Sequence, residues 1–140
     1  MISMTRARAM LDNYTGNLNS YFIAIYTGSI PSNCGTANTG THLASMQFGA
    51  TAFGASTDPG STGLATATAN AITSDTNAAA SGTAGYFTVQ SATNSGTIVA
   101  RGTCGTSSAD MIMNTTTITA GDTIACSSFV ITLPDGSGND

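Results

Sequence analysis

The sequence predicts an all-β fold: an antiparallel β-sandwich of jelly-roll type, preceded by a short N-terminal helix. Three observations predict it. Short runs rich in aromatic and β-branched residues alternate with clusters of Gly, Pro, Asn, Asp and Ser along most of the 140 residues. That spacing belongs to sandwiches and barrels rather than to alternating helices and strands. Lys and Glu are absent while Thr numbers 25, so the usual vocabulary of surface helices is missing and a strand former is abundant. The length, finally, suits one ordinary domain over 1–140.

The elements follow in order. Residues 1–13 hold the one helical pattern, with Met4, Ala7, Met10 and Leu11 on roughly one face and Arg6 and Asp12 off it. So short a helix or arm needs a surface to pack on. Residues 20–26 (SYFIAIY) are a continuous apolar run, the signature of a strand buried on both faces. A loop over 29–40 leads to a second strand at 42–48. Asp58, Pro59 and Gly60 mark a turn inside the loop 49–63. Residues 64–72 alternate Ala or Leu with Thr or Asn, a period of two. After an exposed connection over 73–81, strands at 83–91 and 96–104 form a hairpin around Ala92, Thr93, Asn94 and Ser95. A short apolar strand covers 109–113. Residues 115–119 and 123–133 are expected to close the domain as a second hairpin around Ala120, Gly121 and Asp122. Pro134 ends the last strand, and 134–140 form a loose tail. The expected core comprises Phe22, Phe87, Val89, Ile98, Phe129 and Ile131.

Composition limits what such a domain does. Ala 21, Thr 25, Ser 16 and Gly 16 make up 78 of the 140 residues, whereas Ile, Leu, Val and Phe together number 23. The core is therefore thin, and a small domain with a thin core favours lateral association with other chains. Net charge is only −4, so self-repulsion does not oppose folding. Three cations, Arg6, Arg8 and Arg101, are too few to neutralise a run of phosphates, which argues against nucleic-acid binding. Asp12 interrupts the N-terminal segment before any leader-like apolar run develops, and no stretch is long enough to cross a membrane. The expectation is a protein made in a cytoplasm that stays soluble until it assembles.

No constellation of residues carries chemistry. His42 is the single histidine and reads as a surface residue at a strand edge. Asp58, Asp122 and Asp135 sit beside Gly or Pro, where an Asp bonds to its own backbone. Only Asp135 and Asp140 fall within five residues of each other, so no loop collects the oxygen ligands that calcium requires. The glycines precede neither a helix nor a Lys, which excludes a phosphate loop. Cys34, Cys104 and Cys126 are an odd set with no paired motif. They read as small hydrophobes, with one disulfide between two of them left open. The reading is a non-enzyme with no catalytic residue, cofactor or metal.

A surface of Thr, Ser, Asn, Ala and Gly loses little side-chain entropy when covered and presents few ions to desolvate. It suits a protein that sits permanently on others.

The order of segments resembles a group of small structural proteins of tailed bacteriophages. The similarity is carried by Ile-Tyr-Thr-Gly at 25–28 with Pro31 following, Leu43-Ala44, Ala-Thr-Ala-Asn-Ala-Ile at 67–72 and Gly-Thr-Ala-Gly-Tyr-Phe at 82–87. It continues with Gly-Thr-x-Gly-Thr-Ser-x-Ala-Asp at 102–110, Asn-Thr-Thr at 114–116, Ala-Gly-Asp at 120–122 and Phe-Val-Ile-Thr-Leu-Pro at 129–134. Size and β content fit the jelly-roll cement proteins among them. The resemblance implies a virion protein on the capsid surface, with the major capsid protein as partner, self-association as a homo-oligomer (a dimer), and no nucleic acid or membrane. Arg6, Arg8 and Arg101 are then expected at the interface, facing carboxylates of the shell or of a symmetry mate. Arg101 also fits an ordinary strand-surface residue. The alternative implied role is a tail, baseplate or receptor-binding fibre component, with the Met4 to Leu11 stretch as its docking segment.

Overall fold

The computed structural model describes residues 2–60 and 63–134. One helix, α1 (Met4–Gly16), precedes ten strands: β1 (Phe22–Tyr26), β2 (His42–Phe48), β3 (Leu64–Thr68), β4 (Ile72–Thr73), β5 (Gly82–Thr83), β6 (Tyr86–Gln90), β7 (Ile98–Gly105), β8 (Met111–Met113), β9 (Thr117–Ile118) and β10 (Cys126–Pro134). The protein is all-β with a short N-terminal helix, and its sheet fits a sandwich. Eight strands pair in the order β3-β10-β8-β7-β6-β1-β2-β4, and β5 pairs with β9 as a separate ribbon. The ladder therefore runs unbroken through eight strands instead of dividing into two antiparallel layers. One neighbouring pair, β7 and β8, is parallel over two registers. The loop 106–110 brings this about: Asp110 Oδ2 accepts the Thr103 amide at 2.8 Å and the Thr103 hydroxyl at 2.9 Å, which folds the chain back beside β7.

The sheet curls strongly. β10 and β2 lie five strand spacings apart in the ladder, about 24 Å if the sheet were flat. Yet the rings of Phe129 on β10 and Phe48 on β2 have centroids 5.5 Å apart, edge to face. Phe53 and Phe87 complete the group, at 6.0 and 5.2 Å from Phe129. Four aromatic rings thus bring the two flanks of one sheet together over a shared core. Such packing adds to the burial term for each ring and offsets the scarcity of large aliphatic residues. Gly102 pairs with Phe87 in register, and a Cβ on it would come within 2.7 Å of that ring. Only glycine leaves Phe87 its place there.

Both faces of the central strands are buried, as the continuous apolar run at 20–26 predicts: β1 and β6 have almost no exposed residue. Ile23, Ile25, Phe87 and Val89 point into the main core. Ala24, Tyr26 and Tyr86 point the other way and form a second, small cluster, with the two Tyr rings stacked at 5.5 Å. Two expected core residues are corrected here. Phe22 and Ile98 are only half-buried and lie outside the main core. Phe22 shares the alternation of Ala24 and Tyr26, and a bulge between Val89 and Gln90 sets Ile98 opposite Gln90. Phe87, Val89 and Phe129 are core, with Ile131 packed against it.

The β3 edge of the sheet is covered and the other edge strand is very short, both of which limit uncontrolled pairing with other chains. Beyond β3, Thr57 and Thr66 exchange backbone hydrogen bonds of 2.8 Å, and the Gly54 amide donates to Thr68 O. At the other edge β4 is two residues long, and the Ala79 amide donates to Leu43 O at 2.7 Å. Three sequence-derived elements take another form. The strand expected over 64–72 ends at Thr68: the Ala69 amide still bonds Phe129 O of β10, whereas the Asn70 amide turns away to Ala52 O. The strand expected over 83–91 is interrupted at Ala84 and Gly85, and the Gly85 amide bonds Tyr26 O. The expected closing hairpin does not form. Its turn is present, with the Thr119 amide on Asp122 Oδ2, but β9 leaves to pair with β5 and β10 pairs with β8 and β3. Ile118 and Ile124, both buried, draw the two flanks to different partners. The tail 135–140, with Asp135, Gly136 and Asp140, lies outside the described residues.

Candidate interface

The three arginines have separate fates. Arg8 Nε and Nη2 donate to Ser56 O at 3.0 and 2.7 Å, and the Ser56 hydroxyl donates back to Arg8 O at 3.2 Å. Asp12, one helical turn on, accepts the Ser56 amide at 2.7 Å. Ser56 is thereby buried with its polar atoms satisfied, and α1 holds the segment that covers the β3 edge. Arg101, opposite Thr88 on the outer face of β6 and β7, donates to the carbonyls of Asn33 and Thr36 and, at 3.0 Å, to Asn38 Oδ1. Its Nε is buried without a partner, the cost of aiming the other nitrogens at the loop. Tyr86 reinforces that loop: its hydroxyl donates to Thr39 O at 2.7 Å and accepts the Thr39 amide at 3.0 Å. The loop 29–40 is thus strapped across the outer face, and it covers the second cluster. Arg8 and Arg101 act within the fold, on carbonyl oxygens.

Arg6 differs. It is exposed and has no hydrogen-bond or charge partner among the described residues. It lies on the outward face of α1 with Ile2, Ala9, Met10 and Asn13, around a shallow depression of about 590 Å³. Ile2, just before the helix, is 37% exposed and Met10 55%. The helix turns this way because Ala7, Leu11 and Thr15, at a spacing of four, are the buried set and line up more closely than a set including Met10. Met10, expected on the buried face, is the most exposed large apolar residue among those described. Met4, Ala7 and Leu11 of the expected face do pack on the core, and Met10 alone departs from it; the spacing that adds Thr15 in its place was present in the sequence, but a polar side chain there hid it.

Four aspartates are spent on backbone amides. Asp12 holds Ser56 N, Asp75 holds Ser45 N and Asn77 N, Asp110 holds Thr103 N, and Asp122 holds Thr119 N, all at 2.7–2.9 Å. His42 is half-buried on β2. Its Nε2 lies 2.7 Å from Ser45 Oγ, which donates onward to Thr93 O at 2.6 Å. The hydroxyl proton is therefore directed away from the imidazole, and the nearby Asp75 carboxylate serves backbone amides. This is the reverse of a nucleophile poised on a base. Burial holds the imidazole pKa below its usual value, partly offset by Asp75 and by the Ala44 backbone. A groove of about 440 Å³ opens beside it, lined by Tyr26, Asn38, Asn94 and Ile98 among others.

All three cysteines are free thiols. Cys104 and Cys126 pack against the core as expected, and burial pushes the Cys104 thiol up to about 11. Cys34 is exposed on the strapped loop. Among the described residues no group of three His, Cys, Asp or Glu is placed to hold a metal ion, and no helix is long and apolar enough to cross a membrane.

No family model matches the chain, and no curated protein or solved structure matches it significantly.

Proposed function

We propose that this chain is a non-catalytic structural component of a tailed-phage virion. In this reading it binds the outside of an icosahedral capsid and reinforces contacts between capsomers, as a decoration or cement protein. Its partners are the major capsid protein and further copies of itself in a homo-oligomer, with no cofactor.

The observation that carries this reading is how the charge is deployed. Arg8, Arg101 and four aspartates hold the chain's own backbone. What remains outward is mostly Thr, Ser, Asn, Ala and Gly. Covering such a surface immobilises few flexible side chains and strips water from few ions, which is what a permanent seat on a shell requires. The order of sequence motifs, which resembles that of phage structural proteins, supports the same reading. The exposed apolar side of α1 also suits the second reading, a tail or baseplate component docked through its N-terminal segment.

Copy number in purified virions separates the two. Hundreds of copies per particle are expected for a capsid role. A few to a few dozen would reject it in favour of the tail, and absence from the particle would reject both.

A further inference from the structure

We infer that the outward face of α1, centred on Arg6 and Met10, is the docking peg of this protein, and that its occupant is an apolar socket rimmed by a carboxylate on the assembled capsid shell. The inference rests on the capsid reading above and specifies which surface makes the contact.

The geometry isolates this face. Arg8 and Asp12 turn inward to Ser56, and Ala7, Leu11 and Thr15 turn inward to the core. What is left outward is Ile2, Arg6, Ala9, Met10 and Asn13. Arg6 is the one described arginine not engaged within the fold. No acidic residue sits in the first turn of α1, so the positive end of the helix dipole adds to its field rather than being neutralised. A guanidinium flanked by Ile2 and Met10 is complementary to a carboxylate flanked by apolar side chains, since desolvation by the apolar contact strengthens the charged pair.

The size of the face points away from a second copy as occupant. A stable dimer needs roughly 800 Å² from each partner, more than five side chains of one helix supply. A twofold pairing of this face would also bring Arg6 toward its own symmetry mate. A contact this small holds when many copies engage one particle together, where effective concentration multiplies weak single contacts.

The test is add-back of purified protein to particles of the parent phage that lack it, with occupancy measured by quantitative gel densitometry. Wild type is expected to saturate the particles. Arg6→Glu and Met10→Asp, both at exposed positions, are each expected to weaken binding at least tenfold with unchanged circular dichroism and melting temperature. Arg6→Lys should keep most of the affinity. Wild-type occupancy matched by both variants would overturn the docking assignment while leaving the capsid reading intact; no binding by wild type would overturn that reading itself. If wild type sediments as a dimer and Met10→Asp as a monomer, the occupant is a second copy and the shell assignment fails.

Discussion

At the scale of single residues, the fold depends on a few large side chains with several duties each. Phe129 is 5% exposed and touches the rings of Phe48, Phe53 and Phe87. Phe129→Ala removes the ring on which both flanks of the sheet converge, and should cost about 3–5 kcal/mol, read as a lowered melting temperature. An unchanged melting temperature would deny Phe129 this role. Arg101→Ala should release the loop 29–40, at a cost of about 1–3 kcal/mol, with faster hydrogen exchange at Thr39 and Thr41. Arg101→Lys should not rescue it, because one ammonium does not reproduce the fork that reaches Asn33, Thr36 and Asn38 together. His42 gives the pH dependence. Its folded pKa lies below the unfolded value of about 6.5, so the unfolded chain binds the proton more readily. Its stabilising share is complete above that value and is lost as pH falls through it. His42→Asn should flatten the stability profile as pH falls below about 6.5; an equal slope in both proteins would show that the imidazole is not held neutral.

Among elements, legibility in the sequence followed side-chain size. β2 was readable to the residue, and the run at 20–26 announced burial on both faces because five of its seven positions are aromatic or Ile. The hairpin of β6 and β7 was equally plain, with turn residues between two apolar runs. Elements written in small residues were harder to read. Ala-Thr alternation over 64–72 suggests one strand, but side chains so short lose little by leaving the ladder, and the chain turns away at Asn70 to bond Ala52. The pairing of β9 with β5, and the parallel contact of β7 with β8, depend on long-range backbone partners that local periodicity does not encode. The inward duties of Arg8 and Arg101 were hidden for a similar reason, since their acceptors are carbonyl oxygens 48 and 68 residues away. The i, i+4 spacing of Arg8 and Asp12 was the one available hint of a shared target. Arg8→Ala should loosen the segment 53–57, seen as faster exchange of the Thr57 and Thr66 amides with the rest of the sheet protected. Uniform exchange rates in wild type and variant would mean that the edge is held by its backbone bonds alone.

For the whole molecule, a thin core and a sheet with one covered edge and one very short edge strand combine into a body poorly suited to strand pairing with other chains, yet with a low-charge surface on which proteins can rest. The aromatic group within the curl, the helix clasp on Ser56 and the loop strap over Tyr86 hold it without help from disulfides. On the capsid role proposed above, such a body would span neighbouring capsomers, and each bound copy would have to be released before the capsomers separate. Thermal challenge of virions with and without the protein tests this most directly. Particles lacking it should assemble at normal size and release their DNA at a lower temperature than complete virions, with adsorption to cells unimpaired. Particles that lack it yet keep full heat resistance, and fail to adsorb, would contradict the capsid role and assign the protein to the tail.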